Sequence, residues 1–178
     1  MFAKGLQSRG MTSAKIASPV ALRAQTPADA AFADRLVRDQ LRDAIGLPTE
    51  GGFDAGPLVE MQMRSREAML AGRFADLERR VAWIGETPAA ILLTGSLDGA
   101  LHVAEIIIAP AWRRQGLGAT ILASVAGEAR ATGRDVTASI FVTNTASLGL
   151  FSSAGFTLDL APGAAQASAR LRTGINVS

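Results

Sequence analysis

The sequence predicts a single α/β domain built on a mixed sheet with helices on both faces. Helix-like and strand-like patterns are interspersed along its 178 residues, so helices are inserted among strands. Asp98-Gly99, between two apolar stretches, is a strong signal for a hairpin turn. The apolar run 106–108 leads through a glycine-containing turn into an amphipathic helical pattern, as a strand followed by a helix would.

The first half of the chain predicts three strands and two helices. Thr26-Pro27 followed by Asp29 marks a helix start, and apolar residues then recur at helical spacing until Gly46 and Pro48 end the pattern. The predicted elements are a strand at 20–24, a helix from about 26 to 45, a loop at 46–57, a helix at 58–71, and strands at 81–84 and 90–94.

The second half predicts four strands and two helices. Gly133 is a C-terminal stop for the helix that follows the glycine turn, and Asn144 is an N-cap for the next helix. The predicted elements are a strand at 101–109, a helix at 117–132, a strand at 136–143, a helix at 145–154, and strands at 156–160 and 166–172.

Composition excludes several classes of site. The chain has no cysteine and one histidine, so we expect no disulfide, no metal centre and no cysteine nucleophile. No apolar run approaches the roughly 18 residues of a membrane span. The pI near 9.9 accompanies a formal net charge of only +2, which is weak grounds for a nucleic-acid partner. We expect a cytoplasmic protein with no nucleic-acid or membrane partner.

The first 18 residues are basic and rich in small polar residues, without the apolar stretch of a secretory signal. We expect a disordered extension at 1–18 and one domain at 19–178. A transit-type leader and a true start at Met11 are the alternatives.

The turn at 110–119 has the chemistry of a phosphate site. A helix that begins without a capping side chain presents free N–H groups and a positive dipole end, which favour phosphate or pyrophosphate. Arg113 and Arg114 add charge that can pair with phosphate oxygens. The alternative is an ordinary tight strand–helix turn with solvated arginines.

A second motif follows at a fixed distance. The turn reads Arg113-x-x-Gly116-x-Gly118, and Asn144-Thr-Ala-Ser-Leu-Gly-Leu-Phe-Ser-Ser-Ala-Gly-Phe156 comes 26 residues after Gly118. This pair of motifs resembles the signatures of the GNAT N-acetyltransferase superfamily over residues 101–156. The resemblance implies a mostly antiparallel sheet of six or seven strands, with a V-shaped splay between strands 101–109 and 136–143.

The resemblance also implies an acyl-coenzyme A donor, usually acetyl-CoA. Backbone N–H groups of the turn would bind the pyrophosphate, Ile107 and Ile108 would hydrogen-bond the pantetheine arm, and Asn144 and Phe151 would contact the arm and its thiol end. For Asn144 the alternative is a simple N-cap. The implied cofactor-binding residues are Ile107, Ile108, Arg113, Arg114, Gln115, Gly116, Leu117, Gly118, Ala119, Asn144, Ser147 and Phe151.

N-acyl transfer needs a group that takes the proton of the attacking ammonium. Glu105 is the first candidate for this base, as the only acid in an apolar strand, and a structural ion pair is its alternative. His102 is the second candidate, and a packing or surface role is its alternative. In a regular strand the two would face opposite sides of the sheet, so only a bulge could let them share a site. Ser139 stands where some relatives place a glutamate base.

The position where many relatives carry a tyrosine acid holds Phe151, and the chain contains no tyrosine. We therefore expect an acid-free or slower N-acetyltransferase that acts by direct attack in a ternary complex, on a small-molecule amine rather than a protein. The alternatives are an acyl-CoA-binding regulatory module without turnover and a nucleotide-phosphate binder, although the turn lacks the Gly-Lys-Ser/Thr ending of a P-loop. Homodimers are common in the family, and this sequence leaves the oligomeric state open.

The acceptor pocket has only weak candidates. Glu60, Arg64 and Arg66 would either recognise a polar acceptor or form a solvated helix face. Apolar residues that would either line the pocket or belong to the core are Phe53, Met61, Met63 and Trp83.

Overall fold

The computed structural model describes residues 19–46 and 54–174, and the predictions for 1–18 and for Phe53 lie outside these ranges. The strands are β1 Val20–Ala24, β2 Glu78–Ile84, β3 Thr87–Leu97, β4 Ala100–Ile108, β5 Val136–Phe141, β6 Thr157–Asp159 and β7 Gln166–Leu171. The helices are α1 Ala30–Ile45, α2 Gly56–Arg73, α3 Leu117–Ala131 and α4 Thr145–Ser153.

The seven strands form one sheet in the order β1-β2-β3-β4-β5-β7-β6. Every neighbouring pair is antiparallel except β4 and β5, which run parallel. These two strands pair only where 101–103 meet 136–138, although β4 continues to Ile108. The remainder of β4 therefore diverges from β5, and the predicted V-shaped splay is confirmed.

Each face of the sheet has its own apolar core. The α3–α4 face buries residues such as Leu92, Val103 and Ile121 together with α4, and the α1–α2 face buries residues such as Leu36 and Ile107. The prediction of helices on both faces is confirmed. The splay lies between these two layers and is open to both.

A β-bulge in β4 decides which side chains reach the splay. Leu93 pairs with Glu105 and Thr94 pairs with Val103, so Ala104 is an extra residue on the β4 side. A single extra residue reverses the alternation of side chains, so residues on its two sides that a regular strand would place on opposite faces lie on the same face. His102 and Glu105 consequently both lie on the α1–α2 face, where they contact Phe74 and Arg66.

β2 and β3 are longer than the patterns at 81–84 and 90–94 predict. β2 starts at Glu78 and includes Arg80, whose guanidinium donates to Thr94 Oγ1 on β3 and to a carboxylate on α3. β3 extends over 87–97 because its polar ends still pair with both neighbouring strands. Charged side chains with partners across the sheet therefore lengthen strands that hydrophobicity alone would shorten.

Candidate active site

The two sequence motifs meet at one point of the fold. A β-carbon built on Gly118, at the start of α3, would lie 2.8 Å from a methyl carbon of Leu150 in α4 and 3.2 Å from Ile108 Cδ1 at the end of β4. Only a residue without a side chain lets α3 begin this close to both elements. The turn, the splayed end of β4 and α4 are thereby held together.

The turn opens its backbone N–H groups toward the outside. Gly116 precedes α3 with φ of 86°, a conformation that favours glycine, and it offers no capping side chain. Arg114 also has a positive φ, 61°. The first amides of a helix have no intrahelical acceptors. Within the described ranges no backbone carbonyl outside the helix accepts a hydrogen bond from the N–H groups of Leu117, Gly118 and Ala119.

The splay exposes the backbone of alternate β4 residues. The N–H of Ala109 donates to Ala89 O at 2.9 Å, and hydrogen-bonded pairs alternate along an antiparallel ladder. Ile107 therefore directs its N–H and C=O toward β3, whereas Ile106 and Ile108 direct theirs into the splay. The resemblance implied that the backbones of Ile107 and Ile108 would contact the pantetheine arm. In this ladder the backbone groups of Ile106 and Ile108, and not those of Ile107, face the splay.

Two polar side chains of the turn are used to brace it. Arg113 Nε donates to Ile108 O at 3.0 Å, so this guanidinium already serves one of the splay-facing carbonyls. Gln115 Nε2 donates to Ala111 O at 2.7 Å. Arg114 is exposed beside them. Arg113 and Gln115 thus shape the turn, whatever else they contact.

In α4 the predicted residues have local roles. Asn144 Oδ1 accepts from the Ser147 N–H at 3.0 Å, which is the N-cap interaction that the sequence offered as an alternative. Phe151 is 5 % exposed, and its ring lies edge-on to Phe156 with centroids 4.9 Å apart. Its side chain belongs to the core on the α3–α4 face and not to an open surface.

Glu105 is paired with Arg66 of α2. Arg66 Nε donates to Glu105 Oε1 at 3.1 Å and Nη2 donates to Oε2, in a two-pronged contact. Arg66 also bonds Glu67, which in turn bonds Arg79. Burial lowers the pKa of Arg66, but its bonds and charge interactions with Glu105 and Glu67 outweigh burial and raise it. Part of Glu105 remains exposed, and a carboxylate has lone pairs beyond the two that Arg66 uses.

His102 is a buried, neutral imidazole. It is 2 % exposed, stacks on Phe74 at 5.6 Å between ring centroids, and its Nδ1 shares a 2.9 Å hydrogen bond with Thr137 Oγ1. Burial, together with the charge of Arg73 and against a smaller opposite effect of Asp98, lowers its pKa to about 4. These contacts are those of a packing residue.

Two arginines of α2 belong to this site, although only one was weighed from the sequence. From the sequence, Arg66 was either an acceptor-binding residue or part of a solvated helix face, and the fold sets it on Glu105, 39 residues away. Arg73 was not singled out, yet its Nη2 lies 3.3 Å from Ser139 Oγ on β5. No local pattern in the sequence marks either contact, because both depend on how α2 crosses the sheet.

A surface cavity of about 130 Å³ lies elsewhere. Asp76 and Glu128 line it, and both are already bonded, to Ser96 and Arg80 respectively. Among the described residues no group of three or more acidic or histidine side chains could hold a metal ion. The motif residues converge instead beside the splay, at Gly118, Leu150 and Ile108.

Residues 76–162 match the model of the FR47-like protein family, which is of the GNAT type. This segment runs from β2 past β6 and includes both motifs. The fold agrees with GNAT structures over nearly the whole described chain. The chain thus resembles the FR47-like family over these residues, and its fold is that of GNAT structures.

Solved GNAT structures resemble this chain at low identity. PaiA N-acetyltransferase from Thermoplasma acidophilum in complex with coenzyme A is 12 % identical with a TM-score of 0.66, covering 86 % of this chain and 99 % of that one. Ribosomal-protein-S18-alanine N-acetyltransferase from Escherichia coli is 13 % identical with a TM-score of 0.59, covering 90 % and 99 %. Spermidine N-acetyltransferase from Vibrio cholerae in complex with coenzyme A and spermine is 15 % identical with a TM-score of 0.57, covering 85 % and 92 %.

These identities show a shared GNAT fold and do not extend to substrates. No curated protein sequence matches the chain significantly. None of the helices in the described part is both long and apolar enough to cross a membrane.

Proposed function

We propose that this protein is an acyl-CoA-dependent N-acyltransferase that moves an acetyl group from acetyl-CoA to a primary amine. The observation that carries the proposal is the convergence of three elements at Gly118: an uncapped helix start, a splayed strand with outward backbone groups, and α4. Coenzyme A is present in two of the similar structures described above, which supports the same donor here.

The residues around the splay fit the parts of such a donor. The open amides of 117–119 suit a pyrophosphate, since a helix N-terminus favours anions. Ile106 and Ile108 offer the N–H and C=O groups that a pantetheine arm needs. Arg114, exposed beside the turn, would add charge, and Arg113 would do so by leaving Ile108 O. Acetyl-CoA, when bound, supplies an activated thioester.

The remaining task of the chain is to handle the acceptor's proton. An alkyl ammonium has a pKa of about 10, so it must lose a proton before its nitrogen can attack. Glu105 is our candidate for this role, through a water on its exposed side, with Arg66 fixing the carboxylate. His102 is less suited, because its pKa of about 4 makes it a weak base and its Nδ1 is engaged with Thr137.

A regulatory acyl-CoA-binding module is the second candidate. It is favoured by the burial of Phe151 at the position where relatives carry a tyrosine acid, and by the engagement of both Glu105 oxygens with Arg66. Such a module would bind acetyl-CoA and release no thiol with any amine. An N-acetyltransferase would bind acetyl-CoA and would also release thiol when a suitable amine is added.

Calorimetric titration with acetyl-CoA, with ATP as the control ligand, tests the donor site. Ala119→Glu places a carboxylate on an exposed position of the first turn of α3, where the helix dipole tolerates an acid but a pyrophosphate would be repelled. We expect this variant to fold and to lose at least tenfold in acetyl-CoA affinity. Ala131→Glu, about 18 Å away along the same helix, is the matched control and should bind normally. Equal binding by both variants would contradict the proposed turn.

A further inference from the structure

Helix α2 crosses the splay and touches both of its arms. Arg66 contacts Glu105 on β4, and Arg73 at the end of the helix contacts Ser139 on β5. Seven helical residues separate the two arginines, which corresponds to about 10 Å along the axis. A group that enters the splay from the α1–α2 face therefore passes close to both contacts.

The two arginines differ in their charge balance. Arg66 faces the carboxylates of Glu105 and Glu67. Arg73 donates to the hydroxyl of Ser139, and its guanidinium lies 5.4 Å from the centre of the Phe74 ring. Over the described residues no carboxylate lies within ion-pair distance of Arg73. The vertex of the splay thus carries one positive charge that lacks a counter-charge.

Arg73 is exposed, and the residue beside it anchors the end of α2. Phe74, next to it in the chain, is buried and stacked on His102, which fixes the end of α2 against β4. The charge of Arg73 reaches the imidazole, whose pKa it helps to lower. Ser139 lies one residue beyond the last β5 position that pairs with β4, so the guanidinium stands at the point where the strands separate.

We infer that Arg73, with the hydroxyl of Ser139, binds a carboxylate on the acceptor, and that the acceptor is a small amino-carboxylate such as a free amino acid. This inference rests on the proposed function. A guanidinium prefers carboxylates as partners and binds them through paired N–H groups. The Ser139 hydroxyl accepts from Arg73 and can donate to the same carboxylate.

The charges of the two arms match the two ends of such an acceptor. Its ammonium group meets the partly exposed carboxylate of Glu105 on the β4 side, and its carboxylate meets Arg73 on the β5 side. A polyamine would bring only positive charge to Arg73, so it is disfavoured. An amine that lacks a carboxylate would leave Arg73 without a partner and gain nothing from it.

Thiol release with matched acceptors tests the inference. The acceptors are L-amino acids, the corresponding L-amino acid amides, spermidine, and a short peptide with an acidic N-terminal residue. We expect wild-type protein to prefer the free acids over their amides by roughly 10- to 100-fold in kcat/KM, the size of a charge-assisted contact. Arg73→Gln should abolish that preference mainly through KM, and Arg73→Lys should restore part of it.

Arg130→Gln is the control, since Arg130 lies exposed in the last turn of another helix, α3, and the change in charge is identical. It should leave the preference unchanged. The inference is overturned if amides, spermidine or the peptide are used as well as the free acids, or if Arg73→Gln lowers activity equally on acids and amides.

A binding experiment tests the inference even if the protein has no measurable turnover. Calorimetry on protein saturated with coenzyme A should detect binding of the free acids to wild-type and not to Arg73→Gln, and failure of every acid to bind overturns the inference. Acetyl-CoA titration separates the two proposals. Loss of acetyl-CoA binding would overturn the proposed function, whereas normal acetyl-CoA binding without a preference for acids overturns only the role of Arg73.

Discussion

Gly118 and Leu150 lie in direct contact across the junction of α3 and α4, so close that a β-carbon on residue 118 would stand 2.8 Å from Leu150 Cδ2. One residue belongs to the glycine turn and the other to the second motif. The spacing of the two motifs along the chain therefore has a physical basis, because the leucine of one packs on the glycine of the other.

Gly118→Ala should be less stable than Gly127→Ala by about 1–2 kcal/mol, because the added methyl group must displace the partly buried Leu150 side chain, which offsets the better helix propensity of alanine. Chemical denaturation measures this difference. Gly127→Ala is the control in the same helix: its β-carbon would meet nothing within 4 Å, so the better helix propensity of alanine should stabilise by about 0.5–1 kcal/mol. Equal effects of the two substitutions would contradict the close contact.

The Arg66–Glu105 pair should behave as a coupled unit. Arg66→Gln and Glu105→Gln each leave a partly buried charge without its partner, and we expect each to cost about 1–3 kcal/mol of unfolding free energy. The double substitution should cost clearly less than the sum of the two. A double-mutant cycle by denaturation measures this coupling, and strict additivity would show that the pair does not persist in solution.

The buried histidine makes stability depend on pH. The pKa of His102 is about 4 in the folded state and near 6.5 when unfolded, so the unfolded chain binds the extra proton between these values. Stability should be full above about pH 6.5 and fall as the pH drops toward 4, by on the order of 2 kcal/mol. Asp29 and Asp76, whose pKa values are lowered in the folded state, also lose stabilisation as the pH falls, but only from about pH 5 downward, so the upper part of the window reports on His102.

Unfolding midpoints between pH 7.5 and 4.5 measure the effect of His102. In His102→Gln, which cannot titrate, the dependence across this window should flatten. A wild-type protein whose stability stays constant from pH 7 to 4.5 would show that the imidazole is not buried as described.

Arg73→Gln should raise the pKa of His102 above its value of about 4. Burial is the larger cause of the depression and remains in the variant, so the pKa should stay below 6.5. His102 is the one histidine of the chain, so an NMR titration of its ring protons gives the value without assignment. An unchanged pKa would place Arg73 away from the vertex of the splay.

The sequence predicted the order of elements because that order depends on local signals, whereas the splay was implied by the resemblance to GNAT proteins. Asp98-Gly99, Gly133 and Asn144 all take the turn or cap positions that their chemistry favours. The parts that could not be predicted depend on contacts between distant residues. β2 extends to Glu78 because Arg80 has partners on β3 and α3, and Arg66 pairs with Glu105, which lies 39 residues away in the chain.

The sequence also could not predict which β4 residues direct their N–H and C=O groups into the splay. Whether Ile106 or Ile107 turns its N–H into the splay depends on the register with β3, which alternates from one residue to the next. The sequence named a bulge as the condition for His102 and Glu105 to share a face. No side chain in the strand marks Ala104 as the extra residue, so the structure was needed to find it.

The bulge at Ala104 should be visible in the pattern of substitutions that β4 tolerates. Before it, the odd-numbered positions Leu101 and Val103 point to the α3–α4 core, and after it the even-numbered Ile106 and Ile108 do. A map of tolerated substitutions along β4 should therefore show core-like intolerance at odd-numbered positions before residue 104 and at even-numbered positions after it. Deleting that one alanine would make His102 and Glu105 alternate residues of a regular strand, so both would keep the α1–α2 face and the reversal of parity would disappear.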